Sequence, residues 1–477
     1  MISHFAYRGK NTLQRNVFAT SNDIRSAFST AMSEMYRLEV PAYGTLMSLV
    51  ADVNRQALVE GPGFLATLDA AESLDRISQE RHGAIRLGTP RELAMARRVF
   101  AIMGMFPVGY YDLSEAGIPV HSTAFRPVSD LALAINPFRI FTSLLRLDLI
   151  EDEELRQEAD RLVSTRDIFS SVVMSLVEKA ESQGGLESGD VAIFVSEVLD
   201  TFRWHSEASV DRELYRRLHD AHRLIADVVS FKGPHINHLT PRTLDIDAVH
   251  GRMVEHGMIP KAVVEGPPRR NCPILLRQTS FKAIEESVSF RDASGKVHHG
   301  SHTARFGEIE QRGIALTPKG RALYDRLLTQ ARLKVRPRTD GSNAQAYREA
   351  LETSFQAFPD NWDAIRKARL GYFFYSLSGN TAPRGVAQGN IDALIESGVI
   401  HCEPIIYQDF LPISAAGIFQ SNLGDADTQQ FVASPHQKVF EKALGARILN
   451  EFDHYAGIEM ASLEHCLRLL ERKASVA

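Results

Sequence analysis

The segment ARFGEIEQRG places two acids two residues apart. In an extended strand Phe306, Glu308 and Glu310 point to one face, while Gly307, Ile309 and Gln311 point to the other. On an exposed face the acids would only aid solubility. Lining the inside of a curved sheet, an uncompensated carboxylate is costly and requires a cation, an arginine or a proton. One of the two glutamates is therefore a candidate metal ligand. Two histidine segments could complete such a site. His82 lies in RHGAIRLGT with Arg86 four residues later, and the two would share a face if that segment were helical. An imidazole binds a metal, whereas a guanidinium grips a carboxylate through two parallel hydrogen bonds. In PHINHLTPR, His235 and His238 are three residues apart, and spacing alone leaves either as the ligand. Two histidines and one carboxylate from separate segments match the facial triad of non-haem Fe(II) oxygenases, which leaves positions open for substrate and oxygen.

The elements that must position these residues can be read in outline. Apolar residues recur at helical spacing from Ser21 to about Val53, again from Phe64 to Glu80, and from Arg91 to Met103. Val120 to Pro127 and Arg139 to Leu149 suit strands. From about Glu151 to Phe231 the chain is densely charged and helical, as an insertion would be. Beyond it a short strand at His238 to Thr240 is followed by a helix from about Asp245 to His256. PILLRQTSFKAIEESVSF and HTARFGEIEQRGIALT are then candidate strands. That order is βαβββ, not the alternation of a doubly wound parallel sheet. From Ser342 the chain turns helical, and GVIHCEPIIYQDFLPISAAGIF returns to a strand and a Gly-containing loop. The expected fold class is α+β: a βαβββ barrel-shaped sheet around a metal site, with a large helical insertion and peripheral helices. The expected division is 1–150 and 231–330 as two parts of the metal-binding core, 151–230 as the helical insertion, and 331–477 as C-terminal helices and a strand completing the site.

Composition excludes several classes. With 477 residues, 44% of them hydrophobic, the chain is no disulfide-stapled miniature. Its 54 basic and 59 acidic residues, net −5, describe neither a polyelectrolyte nor a basic nucleic-acid binder. Cys272, Cys402 and Cys466 form no CxxC pair, which fits a reducing cytoplasm. The first residues lack an apolar signal core, and no stretch is long and greasy enough to span a bilayer. Neither nucleic acid nor membrane is an expected partner, and the oligomeric state is left open. Two motifs read as decoys. KVHHGSH, with His298, His299 and His302, follows a Ser-Gly turn signal and reads as an exposed hairpin loop. ALTPKGRALYDRLL resembles a winged-helix junction, but Thr317 as N-cap before Pro318 caps any helix, which makes a DNA-binding regulator the weakest alternative.

RHGAIRLGT, PHINHLTPRTLDID, FGEIEQRGIALT and DFLPISAAGIFQSN together resemble the 2-oxoadipate dioxygenase/decarboxylase family, also called hydroxyglutarate synthases, within the vicinal-oxygen-chelate superfamily. The resemblance runs over most of the chain, with the motifs in the family's order. It implies that His82, His238 and a glutamate of EIEQR hold Fe(II), and that Arg86 binds the substrate. EIEQR also resembles the strand carrying the metal glutamate in hydroxyphenylpyruvate dioxygenases, and that alignment selects Glu308. Ile413 and Ser414 fall where the family places substrate contacts; the family's valine at the first position is here isoleucine, one methylene larger. The implied reaction converts 2-oxoadipate and O2 to 2-hydroxyglutarate and CO2, a step of lysine catabolism. The substrate supplies its own oxo acid. A non-redox isomerase or lyase of the same superfamily, using Zn(II) or Ni(II), is the alternative within this ligand set.

Overall fold

The computed structural model describes residues 18–60, 74–281, 284–338, 340–378, 390–411 and 436–476. The long N-terminal helical pattern forms two helices. Ser21–Glu39 is opened by a capping box in which Thr20 and Asp23 satisfy each other's backbone N–H groups. Pro41 begins Pro41–Glu60. A proline disfavours helical geometry in the residue before it, and Val40 sits at φ −127°, ψ 85°, so the expected single helix breaks there. Of the second expected helix, Leu74–Gln79 is described and helical.

A complete βαβββ unit follows. β1 (Arg81–Leu87) leads through the helix Pro90–Ile102 to β2 (Phe106–Asp112), β3 (Val120–Arg126) and β4 (Arg139–Leu145). Thr89 caps the helix with Glu92 in a second capping box, and Pro90 occupies its first turn. Sequence patterning missed β1 because every residue of it is buried. A strand covered on both faces shows no apolar/polar alternation. β2 was hidden by Pro107 and Gly109; the latter takes φ +70° at a register shift between β2 and β3.

The second unit starts at β5 (Leu239–Pro241), continues through the helix Ile246–Arg252 to β6 (Leu276–Ser280), and ends at β9 (Glu308–Arg312). Between them, β7 (Ile284–Arg291) and β8 (Val297–Arg305) pair as a separate hairpin. The five-stranded sheet runs β2-β3-β4-β1-β5, with β1 parallel to β4 and antiparallel to β5. A parallel bridge between Arg242 and Glu310 carries β9, and β6 beyond it, against β5. The fold is thus mixed α+β, with an open run of strands and no closed barrel among the described residues. The βαβββ order expected only after residue 238 occurs first at 81–145.

Five helices occupy 153–229: Glu153–Thr165, Ser171–Gln183, Ser188–Thr201, Arg212–Ala221 and Arg223–Val229. Towards the C-terminus, β10 (Phe373–Leu377) pairs with β11 (Ile400–Pro404) beside the helices Pro318–Lys334, Ala344–Phe355 and Glu451–Val476, around an apolar core of their own. Thr317 caps the first of these as its sequence suggests. KVHHGSH is not a loop. The turn falls at Asp292 to Gly295, and the histidines lie on β8, where His302 is buried. No helix among the described residues is long and apolar enough to cross a membrane.

Candidate metal centre

The join between the two units brings the candidate ligands together. His82 is the second residue of β1, paired with Thr240 of β5, and His238 immediately precedes β5. Their rings stand edge to face with centroids 5.4 Å apart. This approach depends on Gly83, where a Cβ atom would come within 2.5 Å of Ile236 Cδ1 and 3.3 Å of the His238 carbonyl oxygen. Glu308 enters from β9. Gly307 before it could not carry a side chain, because a Cβ would lie 1.9 Å from the Phe281 ring. The hydroxyl of Tyr36, on the first helix, donates to the carbonyls of both Asn237 and Phe306, at 3.1 and 2.8 Å. One side chain thereby ties down the backbone one residue before His238 and two residues before Glu308.

His82, His238 and Glu308 each offer a ligand atom within 4.8 Å of the others, and all three side chains are buried. Glu308 Oε2 lies 3.2 Å from His82 Nε2 and 3.6 Å from His238 Nε2. It also accepts from Thr240 Oγ1 at 2.8 Å and Gln278 Nε2 at 3.4 Å, which fixes the carboxylate's direction. Neither ring nitrogen of His238 has a hydrogen-bond partner. Burial pushes His238 down to about 3, so its imidazole is neutral with a lone pair available. Burial also opposes a charged His82, but Glu310 and Glu308 outweigh it and hold that group above its ordinary value. Against the same penalty, the charge and hydrogen bond of His82 keep Glu308 below the usual carboxylate range. Orphaned buried imidazole nitrogens facing a carboxylate are a donor set that suits a divalent transition metal. Phe410 and Phe306 pack on the two histidine rings, at 4.8 and 4.9 Å, and shield the centre from water.

Glu310 has a different environment. Arg312 grips it with two 2.8 Å hydrogen bonds and Arg139 adds a third at 3.1 Å, while His82 Nδ1 lies 3.1 Å away. Its charge is already met by protein groups, and it buttresses the far side of the His82 ring. Beneath it Glu80 joins Arg139 at 2.5 Å, Arg242 at 3.0 Å and Arg76 at 3.2 Å, forming a buried ionic layer under the centre. This layer extends to the 407–411 segment, where Gln408 accepts from Arg139 and Asp409 is held by Arg126 and Tyr455.

Arg86 lies four residues along β1 from His82. In a strand that spacing also keeps two side chains on one face, so the expectation holds although its helical premise does not. Arg86 Nη1 donates to Asp227 Oδ2 at 2.5 Å. His235 belongs to that cluster, 3.4 Å from Asp227 and 3.0 Å from Asn237 Nδ2, and is not among the grouped ligands. Ile413 and Ser414 lie outside the described residues.

The profile of the 2-oxoadipate dioxygenase/decarboxylase family matches residues 28–422. The chain belongs to this family. Among its relatives, the 2-oxoadipate dioxygenase/decarboxylase of Pseudomonas putida is 52% identical over 458 residues, covering 95% of this chain and 98% of the relative. The Escherichia coli protein of the same name is 53% identical over 450 residues, covering 94% and 98%. The crystal structure of the Pseudomonas putida hydroxyglutarate synthase in complex with 2-oxoadipate matches with a TM-score of 0.87 and 49% identity, over 96% of this chain and all of that one. This chain is thus an enzyme of the family that its motifs resemble. Sequence reasoning did not find Asp227, the Arg312 clamp on Glu310 or the Tyr36 tie. Asp227 sits in IADVV, where an acid among apolar residues was the one available signal.

Proposed function

We propose that the chain is an Fe(II)-dependent dioxygenase that converts 2-oxoadipate and O2 to 2-hydroxyglutarate and CO2, in cytoplasmic lysine catabolism. The carrying observation is the buried grouping of His82, His238 and Glu308 in a chain about half identical to enzymes named for that substrate. Atoms balance: the C1 carboxylate leaves as CO2 with its own two oxygens, and both oxygens of O2 enter 2-hydroxyglutarate, one in the new carboxylate and one in the hydroxyl. Fe(II) held by the triad would supply the electrons for O2 activation and an anchor for the 2-oxo acid.

The chain's own residues do the rest. Thr240 and Gln278 hold Glu308 towards the histidines, and Glu310 fixes the plane of His82 from behind. Arg86 binds a substrate carboxylate and so sets which carbon faces the reactive centre. By the family resemblance, Ile413 and Ser414 are the substrate-contact positions. The aromatic cover of Phe306 and Phe410 excludes water from a reactive intermediate. The two β units, meeting at β1 and β5, are arranged as the paired units of a vicinal-oxygen-chelate fold, with the candidate metal ligands at their join.

The test is reconstitution of chelator-stripped protein with Fe(II) under anaerobic conditions. Addition of 2-oxoadipate and O2 should give matched oxygen uptake and CO2 release. Equal recovery with Zn(II) would sink the redox reading in favour of a lyase or isomerase.

A further inference from the structure

We infer that the helices between residues 153 and 229 are part of the substrate site, because Asp227 and Tyr215, with His302 of β8, fix the orientation in which Arg86 receives a substrate carboxylate. The inference rests on the role proposed above for Arg86 and extends it to three residues outside the metal centre.

The four side chains form one hydrogen-bonded line. Tyr215, on the helix Arg212–Ala221, places its hydroxyl 2.7 Å from His302 Nδ1. His302 Nε2 lies 2.8 Å from Asp227 Oδ1, and the other oxygen of Asp227 takes Arg86 Nη1 at 2.5 Å. His235 approaches the same Oδ1 at 3.4 Å. The His302 ring is fixed in turn by Trp204, whose plane lies within 3° of its own. Arg86, Asp227 and His302 are each less than a tenth exposed, and Tyr215 at the outer end is half-buried.

The division of Asp227 between two partners gives the arrangement its purpose. A carboxylate facing a guanidinium readily closes both oxygens onto it as a bidentate pair. Such closure at Arg86 would compete directly with a substrate carboxylate for the same fork. His302, with His235 beside it, occupies Oδ1, so Asp227 meets the guanidinium through Oδ2 and orients it from one side. Pre-orienting a long side chain also removes part of the ordering cost that binding would otherwise meet. Tyr215 and Asp227 both come from the helical stretch, which gives those helices a part in substrate recognition. Asp227, His302 and Tyr215 are positioning residues, acting through Arg86.

His302→Phe tests this, since it keeps a ring stacked on Trp204 and deletes both nitrogens. Binding of 2-oxoadipate to the Fe(II)-loaded protein, measured anaerobically by calorimetry, should weaken by about tenfold. KM should rise by a similar factor, with kcat within about twofold and iron content unchanged. In an Arg86→Lys background the same substitution should add less than about twofold, because the residue through which it acts has gone. Unchanged affinity, or an equal factor in both backgrounds, would overturn the inference. Should His302→Phe fail to fold, Tyr215→Phe carries the test: a rise in Kd of at least about twofold supports the line, and no change refutes it. Wild-type protein that binds 2-oxoadipate but consumes no oxygen would sink the proposed reaction and leave this inference standing. Turnover with unaltered affinity in His302→Phe would do the reverse.

Discussion

The two β units share a plan and differ in what their last strands carry. In each, the last strand runs parallel to the first, along a full ladder between β1 and β4 and at the single bridge from Arg242, just past β5, to Glu310 of β9, and the last pairs antiparallel with an earlier strand of its unit. In the first unit the last strand presents Arg139 beside His82. In the second it presents Glu308 and Glu310. The same position in the plan thus supplies a cation on one side of the join and anions on the other, and the cation neutralises the anion that does not face both histidines. A lone carboxylate here would be left to a metal, whereas a second uncompensated one would be prohibitively costly to bury. The asymmetry between β4 and β9 is therefore what allows a metal centre on one side and an ionic layer beneath it.

The sharpest way to break this comparison is to exchange charge for amide at the two glutamates. Glu308→Gln should abolish iron retention and turnover, since an amide is a poor ligand for a divalent cation, while Glu310→Gln should retain iron; metal analysis of both purified proteins decides it. Iron-free Glu310→Gln beside iron-loaded Glu308→Gln would reverse the assignment. His82→Ala and His238→Ala should lose iron and His235→Ala should keep it.

On the other side of the join, Arg139→Gln leaves Glu80 and Glu310 buried without their shared partner. It should destabilise the fold by about 3–5 kcal/mol, read from urea denaturation. A cost under about 1 kcal/mol would mean that Arg312, Arg242 and Arg76 already suffice. A buried histidine of the first unit provides a comparison away from any metal. Burial pushes His121 of β3 down to about 4, so between there and its unfolded value near 6.5 the native state binds fewer protons than the unfolded chain. Its contribution is fully present above that window and is lost as pH falls through it. Lowering the pH from about 7.5 to about 5 should cost about 2 kcal/mol through this group, and His121→Asn should lessen the total loss by that amount. The smallest expected effect is that of Arg86→Lys, which keeps the charge and loses the fork. Catalytic efficiency should fall at least about tenfold, roughly 1.4 kcal/mol, with iron intact; unchanged kinetics would remove Arg86 from the substrate site.

Much of the centre was legible because its chemistry is local. EIEQR announces a strand by alternation, and the shared face of Glu308 and Glu310 follows from the pleat. What distinguishes the two acids is not local. Arg312 could be suspected as a neighbour, but Arg139 is 171 residues from Glu310 in sequence and meets it only through β1 and β5. β1 itself was unreadable because burial on both faces removes the periodicity on which such readings depend. KVHHGSH shows the opposite failure. Three polar residues after a turn signal suggested solvent, yet β8 carries His302 into the interior, where Asp227 and Tyr215 satisfy it. Polar composition predicts exposure only while no distant partner is available.

The Tyr36 hydroxyl bridge strengthens the link between two processes. The carbonyls it joins belong to Asn237 and Phe306, one and two residues from His238 and Glu308. Docking of the helix Ser21–Glu39 and closure of the ligand set are therefore coupled equilibria, and by linkage each must favour the other to the same degree. Iron would act as a fastener for a helix it never touches. Amides of that helix should exchange more slowly in the loaded protein, and Tyr36→Phe should shrink the difference.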